Sequence, residues 1–129
     1  MLRCIIIDDS SVIRTVAGRI LGAHEGVQVL EAPTARSGYD ICIDNMPDLI
    51  IVDSDLPDES GVELLEKLCK FDIAKSSTIM LLLPEVELNA VMRAKRAGAA
   101  GFLLKPFDKA TLLDVLRPLL EAKGVKAAA

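Results

Sequence analysis

Tryptophan is absent, and only four aromatic residues occur: Tyr39, Phe71, Phe102 and Phe107. So sparse a set offers no stacking platform for nucleic-acid bases. No apolar run approaches the ~18–20 residues that a membrane-spanning helix needs, although 51% of the residues are hydrophobic. The first residues carry no basic, apolar, small-residue leader, so the expected location is the cytoplasm. Cysteine is scarce and odd in number: Cys4, Cys42 and Cys69. Three scattered thiols make no disulfide framework, and in apolar patterns they read as small core residues. His24 is the single histidine; an exposed loop is its expected place, and a zinc site would lack ligands. Basic residues are outnumbered, 15 to 19, for a net charge of −4. That balance disfavours non-specific nucleic-acid binding by the whole surface and leaves room only for a local basic patch.

What is present is a strand–helix alternation repeated five times. A chain of 129 residues suffices for one domain with a real core and is too short for two. Cys4–Ile7 is the first continuous apolar run. Ser10 or Ser11 can cap the next helix, with Val12, Ile13, Val16, Ala17, Ile20 and Leu21 on one face. Gly22 and Gly26 bracket its exit, and Val27–Leu30 is a short second strand. Pro33 and Thr34 open a helix that runs to about Asn45, where Pro47 stops it. Leu49–Val52 is the third strand. A polar loop, 53–60, leads to a third helix after Gly61 with Val62, Leu64, Leu65, Leu68 and Cys69 inward. Ile79–Leu83 is the fourth strand. Pro84 suits the first turn of a fourth helix ending at Gly98. Gly101–Leu104 is the fifth strand. Asp108 can cap a last helix to about Gly124, which Pro118 should kink or shorten. The tail, 125–129, is expected to fray. Continuous rather than alternating apolar strands predict a parallel sheet covered by helices on both faces.

Charge then collects at one edge. Asp8 and Asp9 follow the first strand, Asp53 the third and Lys105 the fifth. In open α/β sheets ligands bind outside the carboxyl ends of the strands, at the switch point. Three carboxylates there repel one another, and a divalent cation relieves the repulsion. All-oxygen ligands with room for water suit Mg²⁺. With Mg²⁺ on Asp8 and Asp9, Asp53 is left as a nucleophile able to form an acyl phosphate. The metal and Lys105 would neutralise the transferring group. Taken singly, the acidic residues read more often as caps or solvated turns, and Lys105 as a surface lysine beside a rigid turn. The set on one edge is what carries the reading.

The carrying motifs are Ile7-Asp8-Asp9-Ser10, Val52-Asp53-Ser54-Asp55-Leu56-Pro57 with Ser60-Gly61, Ala97-Gly98-Ala99 and Lys105-Pro106-Phe107. With these the chain resembles the receiver domains of two-component response regulators, over about residues 2–122. The resemblance implies a five-stranded doubly wound parallel sheet, flavodoxin-like or CheY-like in the order 2-1-3-4-5, with five helices. It implies one receiver domain over residues 1–124. It makes Asp53 the phospho-acceptor, and Asp8 and Asp9 the acidic pair at Mg²⁺. Asp55 lends a backbone carbonyl to the metal. Lys105 contacts the phosphoryl group across a cis bond to Pro106. The implied partners are a histidine kinase or phosphotransfer protein and a downstream protein target. That target would dock on the face of the fourth helix, fifth strand and fifth helix, and no DNA-binding domain is expected. The type resembled is the single-domain, chemotaxis-like regulator.

One departure stands out. The family carries Ser or Thr at the end of the fourth strand, where its hydroxyl meets the phosphoryl group; the matching residue here is Leu83. No Ser, Thr or Tyr lies between Thr78 and Thr111, so no shift of register supplies one. The lost charge-assisted bond is worth about 1.5–3 kcal/mol, comparable with an allosteric coupling of about 1–3 kcal/mol. Phe102, the aromatic partner of that switch, lacks a hydroxyl.

Arg93, Lys95 and Arg96 on the fourth expected helix read either as a solvated basic face or as a docking patch for an acidic partner or phosphate-bearing nucleotide. Three functions compete. The first is a single-domain receiver, phosphorylated on Asp53 by a histidine kinase or phosphotransfer protein, that signals by binding and is not an enzyme beyond catalysing its own phosphoryl transfer and dephosphorylation. The second is a phosphorylation-independent binding module or phosphate sink, with a cyclic-dinucleotide messenger on the basic patch as one form. The third is a phosphatase of the haloacid-dehalogenase type, suggested by Asp53-Ser54-Asp55. That motif sits on the third β-α unit rather than the first, and the chain has no room for a substrate-selecting cap.

Overall fold

The computed structural model describes residues 1–124, apart from the side chains of residues 73 and 74. Its elements are β1 (Leu2–Ile7), α1 (Ser11–Gly22), β2 (Val27–Ala32), α2 (Ala35–Asn45), β3 (Leu49–Asp53), α3 (Gly61–Cys69), α4 (Ile73–Ser76), β4 (Thr78–Leu83), α5 (Leu88–Ala97), β5 (Gly101–Leu104) and α6 (Lys109–Ala122). The five strands form one parallel sheet in the order β2-β1-β3-β4-β5. This is the expected doubly wound architecture. The tail expected to fray, 125–129, lies outside the described residues.

Pleating divides the apolar strand residues between two cores. Ile5, Ile7, Ile50, Val52, Ile79, Leu81 and Leu83 face α2, α3 and α5. Cys4, Ile6, Leu49, Ile51, Met80, Leu82 and Leu103 face α1 and α6. Alternate residues of each strand thus bury on opposite faces, as a parallel sheet with helices on both sides requires. The three cysteines are free. Burial pushes the Cys4 and Cys42 thiols up to about 12, so they remain protonated packing groups.

Side-chain caps set the helix starts. Ser10 accepts from the Ile13 amide, Thr34 from Ser37, Ser60 from Glu63 and Asp108 from Thr111. Each satisfies an amide that the first helical turn leaves unpaired.

The structure corrects five expectations. The helix expected from Pro84 begins at Leu88, because the Glu87 carboxylate accepts from the Asn89 and Ala90 amides and becomes the cap. A one-turn helix, α4, precedes β4; four residues are too few to show a period. Val12 and Val16, assigned to the inner face of α1, are exposed, whereas Ala17 and Leu21 are fully buried. The last helix continues through Pro118 to Ala122. His24 sits in the α1–β2 turn rather than on the open surface, half-buried, with its Nδ1 unpaired among the described residues.

Candidate functional site

β1 and β3 are neighbours, with Ile7 opposite Val52. The next residue of each strand is an aspartate, so Asp8 and Asp53 emerge side by side. Both are buried, at 0% and 3% exposure, while Asp9 is exposed. Oxygens of Asp8, Asp9 and Asp53 lie within 4.8 Å of one another. Lys105 starts from β5, two strands from β3, a span of about 10 Å. Its amide donates to the Leu83 carbonyl at 2.7 Å. From there its stem crosses β4 and brings Nζ to 2.8 Å from Asp8 Oδ2 and 3.0 Å from Asp53 Oδ1. Only a long flexible ammonium can make that reach. The Lys105–Pro106 bond is cis, as expected. The structure thus brings together all four edge charges singled out from the sequence.

Electrostatics opposes the Asp53 charge. Burial raises the Asp53 carboxyl, Lys105 pulls it back, the Asp8 charge raises it further and the Asp55 amide lowers it; the sum is upward. Burial works against the Lys105 charge, but its contacts with Asp8 and Asp53 outweigh that and hold the ammonium above its usual range. Asp8 Oδ1 accepts from the Ser10 amide at 2.9 Å. Its buried Oδ2 has the ion contact with Lys105 but, among the described residues, no well-directed hydrogen bond. An oxygen so placed keeps coordinating capacity. Three hard oxygens and that open valence fit a small divalent cation. Asp55 points outward, yet its amide lies against Asp53. An isolated antiparallel bridge from Asp55 to Ser60 holds this loop folded.

Gly61 closes the same loop. Its amide donates to Ser54 O at 2.9 Å. A Cβ on Gly61 would overlap the Asp53 carbonyl oxygen and lie 2.8 Å from its carbon. Both obstacles are backbone and cannot rotate away. Gly61→Ala is therefore expected to destabilise the protein by about 2–4 kcal/mol in urea unfolding. A loss under about 0.5 kcal/mol would show that the α3 entrance is looser than this packing.

Leu83 is 3% exposed and packs in the core that contains Val62, Leu81, Val91 and Phe102. With Ser54, Ser60, Pro84, Glu85, Ala90 and Arg93 it lines a cleft of about 330 Å³. Arg93, Lys95 and Arg96 all lie on α5. Arg93 pairs with Glu66 of α3 at 2.6 Å, Lys95 is exposed, and Arg96 Nε reaches its own helix at Met92 O. Lys95 and Arg96 occupy the last turn of α5, where cations complement the helix dipole.

Sequence reasoning missed Arg14. Its Nη1 donates to the Asp8 carbonyl at 2.8 Å, and its Nε pairs with Glu31 Oε1 at 3.2 Å. Glu31 lies on β2, seventeen residues away, so no local pattern announces the contact.

Known proteins carry the same design. The family profile described as the response regulator receiver domain matches residues 4–117. The chain is 26% identical over 122 residues to sporulation initiation phosphotransferase F of Bacillus subtilis, covering 95% of this chain and 96% of that protein. It is 29% identical over 120 residues to the phosphate regulon transcriptional regulatory protein PhoB of Pseudomonas aeruginosa, covering 93% of this chain but 52% of that protein; the chain spans about half of PhoB. Among solved structures, the chemotaxis protein CheY4 of Vibrio cholerae superposes with a TM-score of 0.84 at 29% identity, covering 93% of this chain and 99% of that one. With its fold, its acidic edge and these relatives, the chain belongs to the response regulator receiver domain family.

Proposed function

We propose that this receiver is a Mg²⁺-dependent phospho-acceptor that takes a phosphoryl group onto Asp53 from a histidine kinase or phosphotransfer protein. The observation that carries the reading is the Lys105 ammonium seated between Asp8 and Asp53. Asp8, Asp9, Asp53 and the backbone carbonyl of Asp55 would hold the cation. Bound there, Mg²⁺ supplies positive charge to the phosphoryl oxygens. An Asp53 oxygen attacks phosphorus and forms the acyl–phosphate bond. The P–N bond of a phosphohistidine donor breaks, and imidazole leaves with the electron pair and takes up a proton. Lys105 neutralises the incoming phosphoryl oxygens, as a preorganised cation does in a half-buried site. The chain accepts the group and gives it up by hydrolysis; it turns over no separate substrate. Incubation with acetyl phosphate and Mg²⁺ should add one phosphoryl mass, lost on hydroxylamine treatment. No adduct, with a competent receiver as control, would sink the reading.

Output would pass to a protein docked over α5, β5 and α6, where Leu88, Met92 and Leu104 are exposed. Leu83 favours a second reading, in which phosphorylation at Asp53 is weakly coupled to that face and the chain acts as a phosphate sink or a constitutive binding module. The β4 end offers an apolar, buried side chain where a hydroxyl would be needed. Leu83→Thr is expected to increase the phosphorylation-dependent change in amide shifts of α5 and β5 by restoring about 1–3 kcal/mol of coupling. If the native chain already shifts as strongly as the variant, weak coupling is wrong.

A further inference from the structure

We propose that Arg14 is a positioning residue for the cation site. It fixes the Asp8–Asp9 peptide, and through it the Asp9 carboxylate, with Glu31 holding Arg14 in place. The inference rests on the Mg²⁺ reading above.

Asp8 is held at every polar atom. Its amide donates to Ala32 O at 3.0 Å, its Oδ1 accepts from Ser10, its Oδ2 faces Lys105, and its carbonyl accepts from Arg14 Nη1. Asp9 is different. It is exposed, and its side chain has no ion pair or hydrogen bond among the described residues. The backbone therefore sets where its side chain starts. The Asp8–Asp9 peptide orients the Asp9 Cα, and its carbonyl oxygen is the atom Arg14 grips.

The grip is specific to a guanidinium. Nη1 and Nε serve two partners at once, the Asp8 carbonyl on β1's end and Glu31 on β2. The side chain is only 18% exposed, and its Glu31 partner 48%. A lysine has one nitrogen and no rigid fork, so it cannot span both contacts in one geometry.

Charge and positioning make opposite predictions. Through space, a cation beside a cation site weakens Mg²⁺ binding, so removing Arg14 should tighten it. If Arg14 positions Asp9, removal loosens it. Outer-shell residues of metal sites are worth about 10–100-fold in affinity.

The test titrates Mg²⁺ into the native protein, Arg14→Gln, Arg14→Lys and Glu31→Gln, followed by the Asp9 amide shift. Exchange of the Ser10 amide is measured without the cation. The Mg²⁺ dissociation constant is expected to rise about tenfold in both Arg14 variants and less in Glu31→Gln. Ser10 exchange should quicken while that of the buried strand residues Ile50 and Ile51 stays native, which separates local loosening from loss of the fold. Should Arg14→Gln not fold, Arg14→Lys and Glu31→Gln carry the test. Native or tighter binding in Arg14→Gln overturns the inference, as does native affinity in Arg14→Lys. Failure of the native protein to bind Mg²⁺ would remove the phospho-acceptor reading and this inference together, a result distinct from unchanged variants.

Discussion

Replacing Asp53 by Asn is expected to abolish phosphoryl uptake and, in the same protein, to raise stability at neutral pH without Mg²⁺. The first effect is chemical: an amide oxygen is a poor nucleophile and cannot form the acyl phosphate. The second is electrostatic. Burial and the Asp8 charge raise the Asp53 carboxyl more than Lys105 and the Asp55 amide lower it. The folded state then binds the proton more tightly than the unfolded chain, whose carboxyl titrates near about 3.9. Stability falls as pH rises from that value through the raised folded value, and stays reduced above it. Asparagine carries no such charge, so its advantage should be present at neutral pH and fade as the solution is acidified toward the unfolded carboxyl range. Urea unfolding across pH checks the sign. An advantage that grew on acidification would reverse the account, and a phosphoryl adduct on Asp53→Asn would move the acceptor elsewhere.

Lys105→Met is expected to be the most damaging single change at the edge. It leaves Asp8 and Asp53 buried side by side without their cation. Removing one partner of a buried ionic cluster costs about 3–5 kcal/mol; partial access of water at Lys105, 22% exposed, places this case near the lower end, about 3 kcal/mol. Mg²⁺ should rescue more of the variant's stability than the native protein gains from it, because the variant's acidic cluster is unneutralised. At a hundredfold excess over the dissociation constant the rescue is about 2.7 kcal/mol. Phosphoryl uptake should slow about 100-fold, the usual loss when one preorganised donor is removed. Urea midpoints with and without Mg²⁺ measure the first effect. Equal midpoints for variant and native protein would mean that Lys105 adds nothing to the apo site.

Much of this was legible in the chain because the signals are local. The run Leu49-Ile50-Ile51-Val52 is buried along its whole length, and such a run in an α/β alternation has to be an inner parallel strand. Ser10, Thr34 and Asp108 mark helix starts because a side-chain oxygen can reach an amide two or three residues ahead. Asp8, Asp9, Asp53 and Lys105 each follow such a strand, so once the sheet is parallel they share an edge. The family resemblance supplied the strand order that puts β1 beside β3.

What remained hidden depends on contacts between distant residues. The period of α1 admits Val12 and Val16 to its apolar stripe alongside Ala17 and Leu21, but helix rotation against the sheet buries the latter pair and leaves the two valines exposed. Arg93 looked like part of a basic face until Glu66, twenty-seven residues away, claimed it. Pro84 looked like a helix start, and the Glu87 carboxylate moved that start to Leu88. Arg14 is unremarkable in sequence and meets Asp8 and Glu31 only when α1 and β2 pack on β1. The sequence alone determined which chemical groups reach the sheet edge, because strand burial and helix capping are decided within a few residues. The tertiary structure decided how those groups are aimed and paired, because a long side chain takes its rotamer from partners that folding delivers from elsewhere in the chain.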